Sequence, residues 1–64
     1  MQTEEIIRRV AALIRRDGLA PTARRIGSTR QTTATVAAGA AREGTVLLFG
    51  QRLEALEAQE AARG

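Results

Sequence analysis

Arg30 and Gln31, followed one turn later by Ala34 and Thr35, gather hydrogen-bonding and small side chains on one side of a helix. An arginine guanidinium donates two parallel hydrogen bonds, which suits guanine O6 and N7. A glutamine carboxamide matches adenine N6 and N7. The methyl groups of Ala34 and Thr35 suit a thymine methyl, and their small size lets a helix backbone approach base edges. Arg24 and Arg25, just upstream, supply charge for phosphates, contacts that position a protein on a duplex without specifying sequence. The plain alternatives for these residues are a solvated first turn and an exposed arginine pair.

Other chemistry is poorly supplied. The chain contains no His, Cys, Lys or Tyr, so the common general bases, nucleophiles and Schiff-base formers are missing. Ser28 is the sole serine and has no base to activate it. Gly39 and Gly44 form no phosphate-cradling loop, because no Gly-Lys-Ser/Thr follows. The acids Glu4, Glu5, Asp17, Glu43, Glu54, Glu57 and Glu60 are scattered. No catalytic residue, metal site or cofactor is expected. Phe49 is the only aromatic side chain, so stacking platforms for single strands or RNA loops are not expected either.

Sixty-four residues allow one domain with a small core, for which oligomerisation is an obvious source of added stability. No apolar run approaches the ~20 residues that span a bilayer, and the N-terminus lacks a signal-peptide pattern. A soluble cytoplasmic protein is expected. All ten basic residues are Arg, and the formal net charge is +3. Between Arg8 and Arg42 eight arginines stand against the single acid Asp17, a local charge of +7. Both ends are acidic. A basic middle of this kind fits a polyanion, as it also fits an ordinary solvated surface.

These residues need elements to hold them. Thr3 is placed to cap a first helix over 3–17, with Glu4 and Glu5 in its first turn and Arg15 and Arg16 in its last. Ile6, Ile7, Val10, Ala11, Leu13 and Ile14 give it an apolar stripe. Asp17-Gly18 ends it, with Gly18 expected in the left-handed conformation and Leu19 packing back on the core. A short helix over 21–26 begins with Pro21, whose missing N–H costs nothing in a first turn. Gly27 turns the chain, and Thr29 caps a helix over 29–38 that stops at Gly39. The inner side of that helix, Thr32, Thr33 and Val36, is weakly apolar, so neighbouring elements must hold it. After a connector over 39–44, Thr45 is expected to cap a last helix over 46–62. Val46, Phe49, Leu53 and Leu56 follow there in an a/d rhythm, and Gly50 permits close helix approach.

Two helices joined by a Gly-containing turn form the helix-turn-helix pattern. Thr22-Ala23-Arg24-Arg25-Ile26-Gly27-Ser28-Thr29-Arg30-Gln31-Thr32, followed by Val36 and Gly39, resembles the lambda-repressor-like and Lac-repressor-like bacterial regulators. Arg42-Glu43-Gly44-Thr45 before an apolar helix resembles the segment after the motif in small members. The likeness covers about two-thirds of the chain. It implies a compact, usually dimeric all-α domain acting on operator DNA. It further implies that Arg30, Gln31 and Thr35 read bases while Thr22, Thr29 and Thr32 contact phosphates. Ser28 and Thr33 depart from the pattern, since both slots are commonly apolar.

The expectation is therefore an all-α, four-helix helix-turn-helix domain over 1–64 that regulates transcription by reading double-stranded DNA. The operator is expected to be an inverted repeat bound by a homodimer. Residues 46–64 would contribute the dimer contact through Phe49, Leu53 and Leu56, although the same seam can equally serve the chain's own core. No membrane, small-molecule ligand or cofactor enters the reading. A helical protein-interaction module, or an accessory of phage recombination or packaging, is the alternative.

Overall fold

α1 spans Thr3–Asp17, α2 Leu19–Ile26, α3 Arg30–Ala37 and α4 Glu43–Arg63 in the computed structural model, which describes residues 1–63. Gly64, assigned by sequence to the same domain, lies outside the described residues. The architecture is all-α with four helices, as the apolar periodicities require. No helix among the described residues is long and apolar enough to cross a membrane.

α1 lies against each of the other three helices, and α4 packs on α1 and α2. Ile6 and Val10 of α1, Ile26 of α2, Val36 of α3 and Val46, Phe49 and Leu53 of α4 meet in one buried cluster. Each helix thus gives its apolar side to a single core, with Ile7, Leu13, Ile14 and Leu56 sealing its margin. Gly50 makes the closest crossing possible. A Cβ there would lie 2.5 Å from Ile6 Cδ1, so a larger residue would have to push the buried Ile6 side chain aside or lift α4 from α1.

α1 keeps its expected bounds but not its expected cap, and α2 and α4 start earlier than the sequence reading. Gln2, not Thr3, precedes α1, and its carbonyl accepts from Ile6 N at 3.0 Å. Thr3 is the first helical residue and caps nothing. α2 begins at Leu19 rather than Pro21, because Gly18 has φ 94° and ψ 160° and its carbonyl accepts the first bond, from Thr22 N. Gly18 is thus at positive φ but extended, not left-handed helical, a region open essentially to glycine. Pro21 becomes the third helical residue, still inside the turn whose N–H groups have no helical acceptor. α4 begins at Glu43, with the Arg42 carbonyl accepting from Val46 N at 3.1 Å, so Thr45 lies inside the helix and is not its cap. The connector shrinks to residues 38–42.

Candidate nucleic-acid interface

α2 ends where its sequence runs into Gly27, at φ 82° and ψ 36°, the left-handed conformation. Gly27 N bonds the Arg24 carbonyl at 3.2 Å and Ser28 N the Ala23 carbonyl at 2.9 Å, the crossed pair of a Schellman stop. Ser28 therefore sits at a backbone-bonded turn, where its hydroxyl is tolerated. The next residue, Thr29, caps α3, its Oγ1 accepting from Thr32 N at 3.1 Å, so the expected cap is present. Thr29 Oγ1 also donates to Thr32 Oγ1 at 2.9 Å. α3 ends in a second crossed stop around Gly39, at φ 75°.

The inner side of α3 is fixed in spite of its threonines. Thr33 is fully buried, and its Oγ1 donates to the Thr29 carbonyl at 2.7 Å, so its polar atom is satisfied. Val36 is fully buried beside it in the core. The outer side carries Arg30, Gln31 and Ala34, all exposed, and Thr35, half-buried. Thr35 Oγ1 donates to the Gln31 carbonyl at 2.8 Å, which leaves its methyl as the free part of the side chain. The four residues with base-reading chemistry are thus brought to one face of one short helix.

The flanking cations divide. Arg24 is exposed and has no ion-pair partner among the described residues. Arg25 instead reaches Asp17 at 3.2 Å and Glu60 at 2.6 Å, bridging α1, α2 and α4. Arg25 thus has its charge offset by two carboxylates within the fold, a difference from Arg24 that the sequence reading did not draw. Asp17 also accepts two hydrogen bonds from Arg16, at 3.0 and 2.8 Å. Those bonds, with Arg25 adding to them, hold its carboxyl below the usual range and raise the Arg16 guanidinium further. Arg9 is likewise paired, with Glu5 and Glu57. Two cations of the basic middle, Arg9 and Arg25, are therefore matched by acids from the chain's ends.

Thr22 corrects the resemblance. It is 2% exposed, with its hydroxyl lacking any hydrogen-bond partner among the described residues, and cannot reach a phosphate. Thr29 is exposed and Thr32 half-buried, and both remain at the surface at the start of α3.

The expected dimer seam is corrected as well. Phe49 and Leu53 are buried in the core of their own chain, 1% and 4% exposed. Leu56 is half-buried against the same core and lines a groove of about 460 Å³ with Leu13 and Leu53. These side chains have little surface left for a second copy, and burial at home is what a short chain demands first.

One residue of the site escaped the sequence. Arg52 of α4 donates from Nη1 to the carbonyls of Ile26 and Gly27, at 2.9 and 2.7 Å. It satisfies carbonyls at the negative end of α2 and holds the turn that leads into α3. Its only sequence signal is a lone Arg among the apolar positions of α4. Comparison with protein-family models, curated proteins and solved structures finds no match for this chain.

Proposed function

We propose that this chain is a sequence-specific, double-stranded-DNA-binding transcriptional regulator that lays α3 in the major groove. The observation that carries the reading is the division of α3 into two faces. Thr33 and Val36 anchor one face in the core. Arg30, Gln31 and Ala34 stand free on the other, at the N-terminal half of a helix bounded by two tight stops. A recognition helix needs both properties, an outer face with base-edge chemistry and a fixed orientation.

Arg30 and Gln31 reach deepest into the groove and contact base edges, while Ala34 and the Thr35 methyl follow along it. Arg24, Thr29 and Thr32 hold the flanking phosphates, with the positive end of the α3 dipole aiding that contact. The chain acts by binding alone, in the cytoplasm, without catalysis, cofactor or small-molecule ligand. Two copies on an inverted repeat place their α3 helices about one helical turn apart, roughly 10 base pairs. Occupying such a site blocks other proteins from it, so repression is the simplest outcome.

Selection of bound duplexes from a random pool by the purified chain tests this reading. A recovered inverted repeat with a defined half-site supports it. Recovery of unenriched sequence, with weak salt-insensitive binding, would move a helical protein-interaction role ahead.

A further inference from the structure

The final two turns of α4 are joined to the other helices by charge. Leu53 is the last buried residue of α4, and Leu56, half-buried, still packs on the core. Every residue from Glu57 to Arg63 is exposed. Glu57 pairs with Arg9 of α1, and Glu60 accepts from Arg25 of α2 at 2.6 Å. Pairs between exposed groups are weak and are screened by salt, so another anion can replace either carboxylate.

These two carboxylates do little for their own helix. Glu60 lies in the last turn of α4, at the negative end of its dipole, where an acid is unfavourable. Glu57 and Glu60 are three residues apart, so like charges are neighbours on one helix face. Their effect falls instead on the groove they line, which also holds Arg9, Arg16 and Arg25. There the three guanidiniums meet four carboxylates, Glu5, Asp17, Glu57 and Glu60. With Glu57 and Glu60 turned away, three guanidiniums face two carboxylates, and the cluster changes from −1 to +1. Arg25 would then keep Asp17 alone, which also accepts two hydrogen bonds from Arg16. It lies in the last turn of α2 beside Arg24, on a helix packed against α3.

We propose that Glu57 and Glu60 are a built-in competitor for nucleic-acid phosphate. They occupy Arg25, and with it Arg9, in the free chain, and Arg25 exchanges Glu60 for a phosphate on a duplex. Because the open arrangement binds a polyanion better, the polyanion shifts the chain towards it. Closed, the contact suppresses indiscriminate binding, which phosphate electrostatics supply, while the outer face of α3 stays free. This rests on the DNA reading above, but the competition itself is measurable without nucleic acid.

Titration of the full chain with inorganic tripolyphosphate, followed by the Arg25 side-chain NMR signal, measures it. Glu57→Gln/Glu60→Gln should bind tripolyphosphate at least about threefold tighter than the wild type, the scale of weak surface pairs. On a random-sequence duplex over a salt series, the same variant should steepen the slope of log affinity against log salt by about one unit. Arg25→Ala should remove that unit from the double variant and scarcely alter the wild type. Glu43→Gln/Glu54→Gln changes the net charge equally at carboxylates that pair with no arginine among the described residues, so it should stay near the wild-type slope. Circular dichroism checks the fold of each variant. An equal slope loss from Arg25→Ala in both backgrounds overturns the proposal, as does an equal gain from Glu43→Gln/Glu54→Gln, and either leaves the DNA reading standing. Tighter tripolyphosphate binding with no duplex binding by any variant sinks the DNA reading and leaves the competition for phosphate standing.

Discussion

Arg52 closes the end of α2 by donating from one nitrogen, Nη1, to the Gly27 carbonyl at 2.7 Å, while the Ile26 carbonyl accepts from the same atom at 2.9 Å. The pair is closely fitted, since a Cβ on Gly27 would lie 2.8 Å from that nitrogen. Gly27 therefore answers two demands, a left-handed backbone and room for a guanidinium. Through this contact the longest helix fixes the turn that orients α3.

Arg52→Ala should leave the helices formed but lower stability by about 1–3 kcal/mol, because hydrogen bonds from a charged donor to one part-buried and one exposed carbonyl are lost. Urea unfolding followed by circular dichroism measures it. Affinity for the selected site should fall with little change in base preference, since the turn loosens while the base-reading side chains remain.

Thr22 offers a test that separates burial from DNA contact. Thr22→Val removes the unpartnered buried hydroxyl and keeps the shape, so stability should rise or hold, by up to about 1–3 kcal/mol. DNA affinity and its salt dependence should not change. A phosphate contact by Thr22 would instead appear as weaker binding to every sequence.

The two neighbouring arginines should behave differently. Arg24→Ala should weaken binding to all duplexes and flatten the plot of log affinity against log salt by about one unit, the signature of one lost phosphate contact. Arg25→Ala should change that slope much less, because Asp17 and Glu60 already neutralise its charge. Its loss should show as lower stability, modest because all three partners are near the surface. Filter binding across a salt series, with unfolding curves alongside, distinguishes the two.

The helices were legible in the sequence wherever apolar spacing and a glycine stop coincided, as at Gly27 and Gly39. The face of α3 was equally legible, since the helical period alone puts Arg30, Gln31 and Ala34 opposite Thr33 and Val36. Helix starts were less so. Threonine is a good cap, but Thr3 and Thr45 each lie inside the first turn, because the cap position goes to whichever carbonyl accepts the first bond. The resemblance misled at Thr22, where a polar side chain occupies a buried helical position. Long-range partners were invisible to spacing: nothing local distinguishes Arg24 from Arg25, whose Glu60 lies 35 residues away. The Phe49 and Leu53 seam illustrates a further limit. An a/d rhythm shows that a face will be covered, and only the packing of the other helices shows that α1 and α2 cover it.

The most direct measurement compares the wild type and Gln31→Ala on every single-base-pair variant of the selected site, at one salt concentration. Both proteins should fold alike, because Gln31 is exposed and lies outside the core. Loss of the glutamine should abolish discrimination at one base pair in each half-site, costing about 1–3 kcal/mol on the preferred sequence. Binding to unrelated duplexes should hold, since phosphate contacts supply it. If folded Gln31→Ala keeps the wild-type preference at every base pair, and Arg30→Ala does the same, α3 is not the reading helix and the account fails.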